Sequence, residues 1–183
     1  MEIQTTTIEG LLLVRSRVFE DDRGAFSETW NQRAFDDAVG QPIRFVQANE
    51  SHSKKGVLRG LHFQSPPHAQ GKLVRVVQGK VLDVAVDLRK NSRTYGKHHS
   101  VILSAENRQQ FWIPPGFAHG FLTLEEDTLF QYLCTDFYHA EAEGSLKWDD
   151  PDLSITWGVD ADNVNVSEKD RAATSFFTFV SPF

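Results

Sequence analysis

The sequence of 183 residues contains one cysteine and one methionine. A lone cysteine, Cys134, excludes an internal disulfide and fits a reducing cytoplasm. Long apolar runs are also missing. Stretches such as Leu11–Val14 fall far short of the ~20 residues a membrane helix needs, so no membrane span is expected. The opening MEIQTTTIEG has no basic end followed by an apolar core, so no secretory signal is expected either. No Pro/Gly/Ser-rich linker and no internal repeat divides the chain, and residues 1–183 are expected to form a single domain. Surplus positive charge is absent: the net charge is −6, which argues against a general nucleic-acid binder. The motifs G-x-G-x-x-G, Walker A, G-x-S-x-G and C-x-x-C do not occur. Their absence removes most support for hydride transfer, nucleotide hydrolysis and serine esterase chemistry.

What is present is ordinary for a folded chain: 40% hydrophobic and 24% charged residues exclude a disordered or fibrous protein. The charge is uneven. Residues 1–80 carry 11 basic and 9 acidic side chains, whereas residues 81–183 carry 8 and 16. An anionic ligand would therefore find its cations mainly in the first half.

Short β-rich segments separated by turn residues run along the chain. Strands are expected at Leu11–Val18, Ile43–Ser51, Val57–Phe63, Lys72–Gln78, Val81–Leu88, His98–Leu103, Gln110–Ile113, Gly120–Leu124 and Thr128–Cys134. This spacing predicts an all-β sandwich or barrel. Gln78-Gly79, between two alternating runs, predicts a tight hairpin. Leu82, Val84, Val86 and Leu88 share one strand face, and Asp83 and Asp87 share the other. One helix is expected over Asn31–Val39 with Asn31 as N-cap. A helical turn is expected from Ser167, where Ser-Glu-Lys-Asp reads as a capping box with Asp170 as its acidic half.

Polar residues concentrate in Gly56–Lys72, GVLRGLHFQSPPHAQGK. Strict alternation places Arg59 and His62 on opposite faces, and a bulge at Gly60 would bring them together. Pro114–His119 has the P-x-G-x-x-H pattern of a second cupin motif. Metal-binding cupins pair it with H-x-H and an acid. Here His62-Phe63-Gln64 and Gln70 stand in those places, a poor ligand set, so no catalytic metal is expected.

Taken in order, FEDDRGAFSE (19–28), FVQANESHS (45–53), GVLRGLHFQ (56–64), QGKLVRVVQGKVLDVAVDLRKNSRTYG (70–96) and WIPPGFAHGF (112–121) resemble the dTDP-4-dehydrorhamnose 3,5-epimerase family. Tyr132, Tyr138, WDDP (148–151) and SEKD (167–170) continue the match over nearly the whole chain. The resemblance implies a cupin-type double-stranded β-helix, or jelly-roll, with a few short helices. It implies an isomerase that inverts C3 and C5 of a dTDP-4-keto-6-deoxy sugar through enolates. The pathway would be dTDP-L-rhamnose synthesis for lipopolysaccharide and O-antigen.

The resemblance also implies roles. His62 would be the base, paired with Asp170; Tyr132 would return the proton from the opposite face, and Lys72 would stabilise the enolate oxygen. Arg23 and Arg59 would contact the diphosphate, with Lys169 adding to them, and Tyr138 would stack on thymine. Phe26, Glu28, Gln47, Asn49, His119 and Glu143 would complete the substrate pocket. No cofactor is implied, because the ketone is itself the electron sink. The partners implied are the dTDP-sugar and a second copy of the chain, in a homodimer with N-terminal strand exchange. A mono-epimerase or ketoisomerase of a related sugar, a non-catalytic nucleotide-sugar binder and a metal-dependent cupin oxygenase are the competing readings.

Overall fold

The computed structural model describes residues 1–183. Its strands, in chain order, are β1 (Glu2–Thr5), β2 (Leu12–Arg15), β3 (Val18–Asp21), β4 (Gly24–Ser27), β5 (Gln47–Ser53), β6 (Val57–Gln64) and β7 (Lys72–Gln78). They continue as β8 (Lys80–Asp87), β9 (His98–Ser104), β10 (Gln109–Ile113), β11 (Phe117–Thr123), β12 (Thr128–Cys134), β13 (Glu143–Ser145) and β14 (Asn165–Val166). Two helices, α1 (Gln32–Val39) and α2 (Glu168–Arg171), complete the regular structure with three short 3-10 turns.

Two sheets form the body. The first has the order β1-β2-β10-β7-β12-β5; the second has the order β13-β6-β11-β8-β9, with β14 beside β6. Between them lies a core of Val74, Val76, Phe111, Ile113 and Phe130 from the first sheet and Val81, Ala85, Leu103, Phe117 and Phe121 from the second. Period-two alternation sends the other residues of each strand outward, and those faces are covered too. Leu58, Val84, Val86, Ala118 and Leu122 pack beneath the C-terminal segment, which supplies Trp148, Leu153, Trp157 and Val164. Val14, Leu73 and Trp112 pack against Phe35 of α1, with Trp30 and Phe45 alongside. This is the jelly-roll of the cupin type that the sequence led us to expect.

The expected helix forms, and for the expected reason. Asn31 accepts a hydrogen bond from the Ala34 amide at 3.1 Å, and Gly40 ends the helix at φ 79°. Several strand boundaries differ. The expected strand Leu11–Val18 splits into β2 and β3, and β3 leaves the body to pair only with β4. Ile43 and Phe45 sit outside β5 because they pack on the α1 cluster instead.

The hairpin expected at Gln78-Gly79 is a correction. β7 pairs with β10 and β12, while β8 pairs with β9 and β11, so the two strands belong to different sheets. Gly79, at φ 82°, turns a corner between them, and a Cβ there would collide with Thr128. The sharp turn is real, but it joins layers rather than neighbouring strands.

Candidate active site

One end of the sandwich interior is apolar and the other is polar. The polar end is built by register. On β12, Tyr132 stands opposite Asn49, and Cys134 opposite Gln47, on the face that holds Phe130. Lys72 begins β7 beside Cys134, in alternation with the inward Val74 and Val76.

On the second sheet, His119 of β11 pairs with His62 of β6, and Phe121 pairs with Arg59. Two steps on β11 therefore match three on β6. That is the bulge expected at Gly60, and it turns Arg59 and His62 to the same inner face. Only glycine serves there. Gly60 has φ 140°, and a Cβ would lie 2.5 Å from the Cα of Gly120.

The result is a cavity of about 590 Å³ whose lining includes Arg59, His62, Lys72, His119, Tyr132 and Asp170. A second chamber of about 430 Å³ shares His62, Lys72 and Tyr132 and adds Gln47, Asn49, Tyr138 and Glu143.

His62 Nε2 lies 2.6 Å from Asp170 Oδ1. The carboxylate arrives from α2, where Ser167 Oγ accepts from the Asp170 amide at 3.1 Å. The N-cap half of the expected capping box is thus present, but the Asp170 carboxylate is directed to His62. Burial works to raise the Asp170 pKa, and the bond to His62, with the nearby imidazole, outweighs it and holds the group below its ordinary value. With Nε2 committed to Asp170, Nδ1 is the nitrogen without a protein partner.

Burial lowers the pKa of Lys72, and the negative charges around it, Glu143 and Asp83 among them, offset only part of that. The same burial raises Tyr132, which therefore keeps its phenolic proton at neutral pH. The Lys72 ammonium lies 6.0 Å from the centre of the Tyr132 ring. Arg59 bonds only to Ser53 Oγ, through Nε at 3.3 Å and an Nη at 3.2 Å, so its charge remains available to an anion.

A base with an oriented ring, a protonated phenol and a half-buried lysine thus surround one cavity. That set can remove a proton beside a carbonyl, hold the developing oxyanion and return a proton.

A family model described as dTDP-4-dehydrorhamnose 3,5-epimerase matches residues 5–177. The chain belongs to the dTDP-4-dehydrorhamnose 3,5-epimerase family. A relative of that name from Methanothermobacter thermautotrophicus is 52% identical over 167 residues, covering 91% of this chain and 89% of its own. The crystal structure of the enzyme from Elizabethkingia anophelis superposes with a TM-score of 0.94 at 48% identity, covering 97% of both chains. A Legionella pneumophila 3,5-epimerase, solved in complex with dTDP-4-keto-L-rhamnose, gives 0.93 at 46% identity, covering 98% of this chain and 94% of that one.

Of the residues that resemblance to the epimerase family nominates, His62, Lys72, Tyr132, Asp170, Gln47, Asn49, Arg59, His119, Tyr138, Glu143 and Lys169 all line one chamber or the other. Glu143 ties the outer part together. It accepts from Tyr138 Oη at 2.9 Å and from Lys169 Nζ at 2.5 Å. The Tyr138 amide donates to Gln47 Oε1 at 3.0 Å, which leaves the exposed Tyr138 ring at the mouth.

Arg23, Phe26 and Glu28 are not brought to either chamber. They sit on or beside the β3–β4 hairpin, all three exposed, and Arg23 pairs with Asp21. Asp83 is the functional neighbour that sequence reasoning passed over. It is fully buried, with both carboxylate oxygens 3.0 Å from His119 Nε2. The only signal in the sequence was an aspartate within an otherwise apolar strand, and a buried carboxylate needs a partner.

Proposed function

We propose that His62, Tyr132, Lys72 and Asp170 carry the reaction of this 3,5-epimerase, the conversion of dTDP-4-keto-6-deoxy-D-glucose to dTDP-4-keto-L-rhamnose. The protons at C3 and C5 are each α to the C4 ketone, so either can leave to give an enolate. His62 Nδ1 takes the proton, and Asp170 fixes the tautomer and stabilises the imidazolium that results. Lys72 meets the negative charge that develops on the C4 oxygen, an interaction of a kind worth about 3–4 kcal/mol elsewhere. Tyr132 delivers a proton to the opposite ring face, which completes each inversion. Arg59 and Lys169 meet the diphosphate, while Tyr138 stacks on the base and Gln47, Asn49, His119 and Glu143 complete the pocket. The observation that carries this reading is the 2.6 Å His62–Asp170 bond at the wall of the chamber that Lys72 and Tyr132 share.

Proton NMR of the 4-keto substrate with the protein in deuterated water tests it. Deuterium should enter both C3 and C5, and His62→Ala should slow both exchanges by about 10⁴-fold. Exchange at one centre only would reassign the chain as a mono-epimerase.

In this reading residues 1–183 act as one domain in a cytoplasmic homodimer with N-terminal strand exchange, feeding L-rhamnose to lipopolysaccharide and O-antigen. Two features support the dimer. β1 is an edge strand with one side unpaired. The β3–β4 hairpin, with Phe19 and Phe26 exposed, pairs with nothing else in its own chain and is placed to carry Arg23, Phe26 and Glu28 to a partner's cavity. A monomeric mass by light scattering at micromolar concentration would sink the dimer.

A further inference from the structure

Outside both chambers, two chain segments bring His68, Asp136 and His139 together. One candidate ligand atom from each lies within 4.8 Å of the other two. The His68 and His139 rings stack with centroids 3.5 Å apart and planes 22° from parallel. His68 Nδ1 and Asp136 Oδ2 are 3.5 Å apart. That is long for a hydrogen bond, and close to the roughly 3.4 Å that separates two ligands held about 2.1 Å from one tetrahedral ion.

The framework behind these side chains is fixed. Gln64 Nε2 donates to the carbonyls of His68 and Phe137, at 2.7 and 3.1 Å, and its Oε1 accepts from the His139 amide at 2.9 Å. Gln70 Nε2 donates to the Asp136 carbonyl at 2.8 Å. Two buried or half-buried glutamines therefore clamp the loop that holds His68 to the turn that holds Asp136 and His139.

The heads themselves are open. All three side chains are about one-third exposed, at 33%, 33% and 32%. Asp136 Oδ1 is occupied by the Phe137 amide at 2.8 Å, which leaves Oδ2 free. Glu141 Oε1 lies 3.3 Å from His139 Nδ1, and that contact would leave Nε2 as the ligand nitrogen, the arrangement in which a carboxylate orients a metal-bound histidine.

We propose that His68, Asp136 and His139 form a binding site for one borderline divalent cation of the zinc, cobalt or nickel class. Two imidazoles and one carboxylate suit these ions better than magnesium or calcium, which prefer all-oxygen sets. Two nearby carboxylates, Asp136 and Glu141, give the site the negative charge a dication requires. Water completes the coordination. The ion would bind away from the proton-transfer groups, and it would pin the turn that carries Tyr138 to the loop before β7. The inference stands apart from the epimerase reaction, since it concerns binding alone.

Cobalt(II) titration of the tag-free, chelator-treated protein tests it, followed by visible absorption and calorimetry. The expected result is one ion per chain, with the visible bands of a four- or five-coordinate nitrogen–oxygen site. His68→Ala and His139→Ala should each weaken binding by about 100-fold, whereas His62→Asn should leave it unchanged. Three outcomes would overturn the proposal: no spectral change in the wild type, binding that survives in the His68→Ala/His139→Ala double variant, or binding lost only in His62→Asn. The last would send the ion to the His62–Asp170 pair.

Discussion

His62 and His119 face each other across β6 and β11, and each meets an aspartate. The two pairs use the same chemistry in different surroundings. His119 and Asp83 are both buried, lie on adjacent paired strands, and make a two-pronged contact at 3.0 Å. His62 is 29% exposed, and its aspartate comes from a helix 108 residues away through a single 2.6 Å bond. A histidine–aspartate pair alone therefore does not define a base. What distinguishes His62 is exposure: its side chain is 29% open, at the cavity wall, whereas that of His119 is 8% open. His119 belongs to the wall and holds the sheet in shape.

This contrast can be broken by removing each aspartate or histidine in turn. Asp170→Asn should leave the fold intact and present His62 with an amide in place of the carboxylate. The wrong tautomer and an unsupported imidazolium should lower kcat by about 10³-fold, read by the deuterium exchange rate at C3 and C5. A loss under tenfold would mean that Asp170 only holds α2 against β6.

His119→Ala should act in the other currency, stability. It leaves the Asp83 carboxylate buried without its partner, and the cost should be about 3 kcal/mol in urea unfolding. Its kcat should fall far less than in the His62 variant. A kcat loss as large as that of Asp170→Asn would erase the distinction between the pairs.

Asp87 sharpens the comparison, because it is a buried carboxylate with no route to the cavity. Burial raises its pKa, but bonds from Arg89, Ser92 and Thr94 outweigh that and bring it down from 3.8 to about 2. A group with a depressed folded pKa stabilises the protein above its unfolded value and loses that effect as pH falls through the folded one. The contribution of Asp87 should thus be complete above about pH 4 and fade towards pH 2. It should amount to about 2 kcal/mol, lost at pH 7 in Asp87→Asn while kcat stays near wild type. Equal unfolding midpoints for the variant and the wild type at pH 7 would contradict this.

Local chemistry was legible in the sequence. The N-cap at Asn31, the alternation of β7 and β8 and the kink needed at Gly60 each depend on a few neighbouring residues, and each appears in the structure. The set His62, Lys72, Tyr132 and Asp170 came through motifs of a known family, and the fold brings all four to one chamber. Long-range pairing was not legible. Alternation tells which residues share a face, but not which sheet a strand joins, so Gly79 read as a hairpin. It puts Asp83 on the face opposite Leu82 and Val84, but not inside the sandwich, where His119, 36 positions later, meets it. The β3–β4 hairpin escaped notice because its strands are four residues each and lack a sustained alternation or a buried face to announce them.

The separation between His62 and Asp170 also sets an order of assembly. A chain grown from its first residue to Ser145 holds thirteen of the fourteen strands, and of those that line the two chambers it lacks only β14, which contributes Asn165. It holds no Asp170. The walls of the site can close during synthesis while the base still lacks the carboxylate that orients it, and the last stretch of chain completes the pair. A chain cut short before α2 would keep the strands of the chamber but lose Lys169 and Asp170 from its wall, and its histidine would have no carboxylate to choose between its two tautomers.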